Sequence, residues 1–219
     1  MSHKTLGTIV GVVLIGAWLA MPLAASANVL VNPSFESGLT GWNTFGNAYA
    51  DSAHAQDGVK ALKLFGNWSS PWNATGAFQN VAAAADQSWT FSGFGLDPAS
   101  DPVTGTNQNI ALLKIIWFDG PNATGNMLQP LAGPGAVFGA NPGIESGQLN
   151  AGTPLDQWQA LSAGGQAPAG TQSVQLMAIF LQPNYEGGSL WFDNLTATPE
   201  PCSLALLGLG GLALLRRRR

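Results

Sequence analysis

Hydrophobic residues in the middle of the chain recur in short runs, which Gly, Pro, Asn and Asp separate. Between residues 28 and 198 no long stretch has the i, i+3, i+4, i+7 spacing of an amphipathic helix. Runs of this length between turn-forming residues are typical of β-strands. The pattern predicts seven strands, at Val59–Phe65, Ala77–Val81, Ser88–Leu96, Ile110–Phe118, Gln157–Leu161, Ser173–Leu181 and Ser189–Thr196.

Strands of this length predict one all-β domain over residues 28–198, a β-sandwich or jelly roll. These 171 residues are enough to form a sizeable core. Ile110–Phe118 is the most apolar run and is expected to be a central strand. Two long irregular segments, Pro98–Thr106 and Met127–Leu155, are either loops over a binding face or solvated connections.

The N-terminus has the pattern of a signal peptide over residues 1–27. Lys4 precedes an apolar run from Leu6 to Leu23, and the segment closes on the small residues Ala25 and Ala27. This pattern predicts cleavage by signal peptidase before Asn28. An uncleaved transmembrane anchor is the alternative, because the run is close to the minimum of roughly 17 residues for a span.

The C-terminus predicts a sorting tail over residues 199–219. Pro199, Glu200 and Pro201 precede an apolar stretch of twelve residues at 204–215. That stretch is short for a membrane span. The chain ends in the cluster Arg216, Arg217, Arg218 and Arg219. The positive-inside rule places such a cluster in the cytoplasm, so the tail is expected to contact the inner membrane transiently.

This tail resembles the PEP-CTERM sorting signal of bacteria, with its three parts in the right order. The resemblance implies that an exosortase-type membrane protease recognises the tripeptide and removes the tail. It also implies export to the cell envelope, the cell surface or the extracellular matrix. Cys202 stands where many such signals have Ser or Thr, and is either a lipidation site or a tolerated small residue. An ordinary tail anchor would leave the tripeptide unexplained.

Composition supports export and argues against nucleic acid as a partner. Only 9% of residues are charged, against about 25% in typical soluble domains. Residues 28–198 contain three basic and eleven acidic residues, which gives 3 − 11 = −8. Phosphate binding needs a basic patch, which this segment lacks. The single cysteine also excludes an intrachain disulfide and a cysteine zinc cluster.

The order of motifs in the body resembles the galactose-binding-like jelly rolls, especially the cellulose- and xylan-binding carbohydrate-binding modules. The resemblance implies a domain that contacts glycans without catalysis. The matching elements run through the whole body: Asn32-Pro-Ser-Phe35-Glu36, Gly41-Trp42, Gly58-Val-Lys-Ala-Leu62-Lys-Leu64, Phe78-Gln-Asn-Val81, Trp89-Thr-Phe-Ser92, Trp158-Gln-Ala-Leu161 and Trp191-Phe-Asp-Asn-Leu195.

Many members of that family hold a structural calcium ion, which binds six to eight oxygens. The resemblance places carboxylate ligands at Glu36, Asp57 and Asp193, and a carbonyl ligand at Lys60. Carbonyls of Ser34 and Glu36 would complete the shell. The alternative is that Glu36 and Asp193 only accept backbone hydrogen bonds at strand ends.

Exposed aromatic rings are the expected platform for a sugar, because pyranose CH faces stack on them. Trp68 and Trp72 lie in a loop-like stretch between Gly66 and Gly76, beside Asn67 and Asn73. Together with Tyr185 in a second loop they are the candidate platform, although the two tryptophans could instead cap the sandwich. Five other tryptophans are expected in the core or at its edge, namely Trp42, Trp89, Trp117, Trp158 and Trp191.

The sequence contains few residues in patterns that are typical of catalytic sites. A glycoside hydrolase needs two facing carboxylates, and Asp97, Asp101, Asp119, Glu145 and Glu186 each fit a turn or solubilising role. His54 has no nucleophile motif beside it. The sequence therefore predicts an exported surface or matrix protein with a non-catalytic carbohydrate-binding-like domain. Two alternatives stay open, a structural or adhesive envelope or biofilm protein without a sugar ligand, and a glycan hydrolase.

Overall fold

The computed structural model describes residues 27–67, 73–105, 109–183 and 185–200. The described chain is almost entirely β-structure, with one short 3-10 turn at Pro121–Ala123. Its strands are β1 (Asn43–Phe45), β2 (Asn47–Asp51), β3 (Ala61–Phe65), β4 (Asn73–Ala82), β5 (Ser88–Leu96), β6 (Ile110–Phe118), β7 (Ala136–Val137), β8 (Gly143–Glu145), β9 (Gln159–Gln166), β10 (Ser173–Gln182) and β11 (Ser189–Pro199).

The strands form two antiparallel sheets. Sheet A has the order β1-β4-β10-β6-β8-β7, and sheet B has the order β2-β3-β11-β5-β9. Neighbours in each sheet are distant in sequence, as in β4 beside β10 and β3 beside β11. This arrangement confirms the predicted all-β jelly-roll sandwich, and all seven predicted strands are present.

Some strand boundaries differ from prediction, and four strands were not predicted. β4 begins at Asn73, four residues earlier than expected, because its first residues pair with the end of β10. Gly46, at φ +67°, separates β1 and β2, so each run was too short to recognise. β7 and β8 lie in the segment predicted as irregular, where β8 adds to the edge of β6.

The core lies between the two sheets. Sheet A contributes alternate residues of β6 and β10, such as Trp117 and Phe180, and sheet B contributes residues such as Phe91 and Phe192. β6 lies between β10 and β8, as expected of a central strand. Trp42, Trp89 and Trp117 belong to this core.

Trp191 and Trp158 occupy a different layer from the other tryptophans. Trp191 is buried on the outer side of sheet B with Ala61 and Leu96, and half-buried Trp158 packs against this cluster. The edge of the His54 ring faces Trp191 at 4.8 Å between ring centroids. The predicted core positions of Trp42, Trp89 and Trp117 are therefore confirmed, while Trp191 and Trp158 pack on the outer side of sheet B.

The two ends of the domain lie together. The Val29 amide donates to the Ala197 carbonyl, and the Asn28 side chain bonds β11 at Leu195 and Ala197. β11 extends through Pro199, and the Glu200 amide donates to the Ser88 carbonyl at 2.7 Å. The first residues of the predicted sorting tail are thus part of sheet B.

No helix within the described residues is long and apolar enough to cross a membrane. The predicted signal-peptide run, its Ala25, and the tail from Pro201 to the arginine cluster lie outside the described residues.

Candidate functional site

The outer face of sheet A, which points away from sheet B, carries an apolar cluster. Ile116, Phe118 and Met177 are buried there, and Phe45, Phe78, Ala123 and Ile179 pack against them. The Phe45 and Phe78 rings are half-buried, 6.3 Å apart and tilted by 44°. We call this cluster the outer apolar face. In a two-layer sandwich the outward side of a strand is usually polar, so an apolar cluster here is unusual, and its half-buried rings are the part that solvent reaches.

Amide side chains border the outer apolar face. Gln175 donates to the Asn80 side chain at 3.1 Å, and Asn80 donates to both oxygens of Asn122 at 3.3 Å. These amides lie on β4, β10 and the 3-10 turn. Amides that border partly exposed rings supply the donors and acceptors that sugar hydroxyls use.

This site was missed from sequence, although a signal was present. β6 and β10 are apolar at both odd and even positions, whereas a sheet with one solvated face alternates. For Ile110–Phe118 the apolar run predicts a central strand, and it does not by itself predict an apolar outer face. Phe45 was missed because β1 itself was missed.

Described residues that flank the predicted aromatic platform lie together at one end of the sandwich. Asn73, which follows Trp72, pairs in register with Gln182 at the end of β10, and its side chain donates to Gln182 at 2.8 Å. Tyr185 follows in the next loop and is 54% exposed. Trp68 and Trp72 lie outside the described residues.

This loop end is continuous with the outer apolar face. Phe45 lies directly over Gly76, where a Cβ atom would be only 2.6 Å from the ring. Gly76 is three residues along β4 from Asn73. A flat ligand could therefore extend from the loop end along β4 to the Phe45 and Phe78 rings.

A buried polar network fixes the loops at this end. The Asn109 side chain donates to the Glu186 carbonyl at 2.9 Å, and Gln182 donates to the same carbonyl at 2.8 Å. The Ser189 hydroxyl donates to the Asp101 carboxylate at 2.6 Å. Two of these bonds therefore hold the carbonyl of Glu186, the residue after Tyr185, in place.

The carboxylates predicted to bind calcium hold the loop between β2 and β3. Asp193 Oδ2 accepts hydrogen bonds from the Gln56 and Asp57 amides at 2.7 and 2.9 Å. Glu36 Oε1 accepts from the Val59 and Lys60 amides, both at 2.9 Å. The four predicted positions are thus brought together around one loop.

The two carboxylates differ in their electrostatics. The backbone N–H groups of Lys60 and Val59 lower the pKa of Glu36. Burial raises the pKa of Asp193, and the amides of Asp57, Asn194 and Gln56 oppose this shift. Asp193 is fully buried, so these amide hydrogen bonds are what stabilises its ionised form.

A calcium ion does not fit this arrangement as it stands. Backbone N–H groups, not carbonyls, face Glu36 Oε1 and Asp193 Oδ2, and calcium requires oxygen ligands. No three His, Cys, Asp or Glu side chains of the described residues form a group that could hold a metal ion. The alternative role, carboxylates that accept backbone hydrogen bonds, is the one this geometry displays, and calcium stays a prediction.

Asp97 is the most strongly perturbed carboxyl group of the loop end. It is 0% exposed, its Oδ1 accepts from the Val103 amide at 3.0 Å, and Oδ2 has no partner among the described residues. Burial raises its pKa from 3.8 to about 6, against the Val103 hydrogen bond, and the charges of Asp101 and Asp156 raise it further.

Asp97 is therefore expected to destabilise the fold at neutral pH. The pKa of Asp97 is higher in the folded than in the unfolded protein. The stability that goes with protonated Asp97 is therefore fully present below about pH 4 and is lost as pH rises through about 6. We expect Asp97→Asn to flatten the fall in melting temperature from about pH 4 to about pH 7. Melting curves of both proteins, recorded by circular dichroism across this pH range, test the expectation. Parallel curves for the two proteins would contradict the assignment to Asp97.

Of the other carboxylates considered for catalysis, Asp101, Asp119 and Glu145 have a hydrogen-bond or ion-pair partner, whereas the buried Oε2 of Glu186 has no hydrogen-bond partner among the described residues. Glu145 forms an ion pair with Lys114 at 2.9 Å. Asp119 accepts from the side chain and the amide of Asn126, which lower its pKa. The Glu186 carboxylate lies against Gly105. These contacts hold turns and strand ends in place.

The fold is similar to solved structures that contain carbohydrate-binding modules or glycan-acting enzymes. A xylan-binding domain of carbohydrate-binding module family 22 is 14% identical, with TM-score 0.50 over 77% of this chain and 92% of that domain. A Clostridium thermocellum xylanase fragment with a family 22 module, complexed with xylohexaose, is 17% identical, with TM-score 0.52 over 80% of this chain and 29% of that chain. An arabinose-bound α-L-arabinofuranosidase is 14% identical, with TM-score 0.53 over 82% and 27%.

At these identities the likeness establishes the fold, a β-sandwich of the carbohydrate-binding-module type. The chain matches less than a third of the two longer proteins. No curated protein sequence matches it.

The PEP-CTERM protein-sorting motif matches residues 197–219. The predicted sorting signal is therefore confirmed, and its match begins inside β11. A signal of this kind indicates an exported protein of the cell envelope or cell surface that an exosortase processes.

Proposed function

We propose that this protein is an exported, non-catalytic binding module for a neutral polysaccharide of the cell surface or extracellular matrix. The observation that carries the proposal is the outer apolar face, with the Phe45 and Phe78 rings beside amide side chains. Pyranose CH faces stack on such rings while amides bond the hydroxyls.

Charge favours a neutral ligand over an acidic one. The domain carries eleven acidic and three basic residues, and Lys114 is already paired with Glu145. The net negative charge of the domain would repel a uronic-acid polymer at low salt. We expect binding to neutral glycans to change little with ionic strength.

The non-catalytic reading is supported by the carboxylates themselves. Asp97 is fully buried, and Asp119 and Glu145 bind structural partners. A hydrolase would need an acid and a second carboxylate on either side of an accessible glycosidic bond.

The proposal includes processing of both ends of the chain. Signal peptidase would cut after Ala27, and the apolar run with its arginines would tether the chain to the inner membrane until an exosortase acts. These steps place the mature domain outside the cell.

The direct test is binding of purified residues 28–200 to a glycan array, beside a Trp68→Ala/Trp72→Ala variant and a Tyr185→Ala variant. We expect binding to neutral polysaccharides that the double variant loses while its melting temperature is unchanged. A folded protein that binds no polysaccharide would overturn the sugar proposal and favour a structural or adhesive role.

The same assay with calcium or a chelator tests the calcium prediction. A rise in melting temperature with calcium that Glu36→Gln abolishes would support a bound ion. An unchanged melting temperature would leave the hydrogen-bonded loop as the role of both carboxylates.

A further inference from the structure

The sorting motif begins inside the folded domain. Thr198 is the register partner of Thr90, and Pro199 is the partner of Trp89. The Glu200 amide donates to the Ser88 carbonyl at 2.7 Å. The motif match starts at residue 197, so no spacer separates sheet B from the sorting tripeptide.

A protease binds its substrate as an extended strand through backbone hydrogen bonds. The Glu200 N–H cannot donate to Ser88 and to a protease at the same time. β5 also occupies the space along one edge of Thr198 and Pro199, where a protease would have to approach.

We infer that the pairing of β11 with β5 restricts access to the sorting tripeptide, so that processing of the folded protein requires the end of β11 to detach from sheet B. This inference rests on the proposed exosortase processing. Strand ends open locally more easily than strand centres, so the restriction slows processing without blocking it. A newly exported, unfolded chain has no such restriction.

The N-terminal segment limits how far β11 can detach. The Ala197 carbonyl accepts the Val29 amide, and the Ala197 amide donates to the Asn28 side chain. Detachment is therefore expected to stop at Thr198, and to involve Thr198, Pro199 and Glu200 alone.

The test follows removal of the tail from the full chain in cells that contain the exosortase, by pulse-chase after export. One variant has a six-residue Gly-Ser spacer between Thr198 and Pro199, which moves the tripeptide away from β5. Its control has the same spacer between Ala132 and Gly133, in an exposed loop.

We expect the variant with the spacer before Pro199 to lose its tail about tenfold faster than wild type, because about one net backbone hydrogen bond no longer has to open. The control is expected to match wild type.

A second variant strengthens the pairing instead. Thr90 and Thr198 are direct partners, and antiparallel partners lie within the Cα separation that a disulfide spans. Thr90→Cys/Thr198→Cys in a Cys202→Ser background is expected to slow tail removal, and a reductant is expected to restore the rate of the Cys202→Ser protein.

The outcomes separate the inference from the proposed processing. Equal, measurable rates for wild type, spacer variant and disulfide variant would overturn the restriction and leave processing intact. A tail that stays on every variant would overturn processing itself, and the restriction with it.

Discussion

Replacing Asp193 by alanine is expected to lower the free energy of unfolding by about 3 kcal/mol at neutral pH. The buried carboxylate accepts the amides of Gln56 and Asp57, and Oδ1 accepts the Asn194 amide. Alanine would leave these N–H groups without partners beside the core. For a domain of this size the melting temperature is expected to fall by about 10 °C, which circular dichroism measures.

Two further variants show whether the hydrogen bonds carry this effect. Asp193→Asn keeps the shape and one carbonyl oxygen, so we expect a smaller loss than for alanine. Asp51→Ala removes the carboxylate at the end of β2, which among the described residues accepts the Ala53 amide alone, and is expected to have little effect. Equal losses for Asp193→Ala and Asp51→Ala would contradict the role assigned to Asp193.

The strands of the core were predictable because they are short, strongly apolar runs that turn residues bound. β5, β6 and β10 were found nearly at their observed limits, since each buries a large apolar side. β8 was not predictable, because Gly143–Glu145 becomes a strand only by pairing with β6. Tertiary pairing, not local propensity, decides such short edge strands.

The end of β11 shows a different limit. The tail was predicted to start at Pro199, from the Pro-Glu-Pro tripeptide, and the last strand was predicted to end at Thr196. Here Pro199 occupies the last position of β11, where a missing N–H does little harm. The boundary between domain and tail depends on a partner strand more than 100 residues earlier in the chain, which local sequence does not reveal.

The candidate site was only partly predictable. The sequence indicated Glu36, Asp57, Lys60 and Asp193 as one group, and the structure brings them around one loop. The sequence left open whether these carboxylates bind calcium or accept backbone hydrogen bonds, because the direction of the loop N–H groups depends on the loop backbone, with Gly58 at φ +69°. The outer apolar face unites residues from β1, β4, β6 and β10, so it exists only after the sheet has formed.

The sugar proposal makes its sharpest prediction at Phe78. We expect Phe78→Ala to weaken binding of a neutral polysaccharide by about tenfold or more, equivalent to ~1.4 kcal/mol, because the ring is the stacking surface beside Asn80. Isothermal titration calorimetry on residues 28–200 measures the change. Gly76→Ala is expected to weaken binding as well, because its Cβ would displace the Phe45 ring.

Phe65→Ala is the matched control for Phe78→Ala. Phe65 is also half-buried and lies 5.7 Å from the Tyr49 ring, but on the outer side of sheet B. Both variants lose one aromatic contact of similar kind, so their stabilities should fall alike. Only Phe78→Ala should lose affinity if sugars bind sheet A. Equal affinity losses, or a loss for Phe65→Ala alone, would place the binding site elsewhere and remove the outer apolar face from the mechanism.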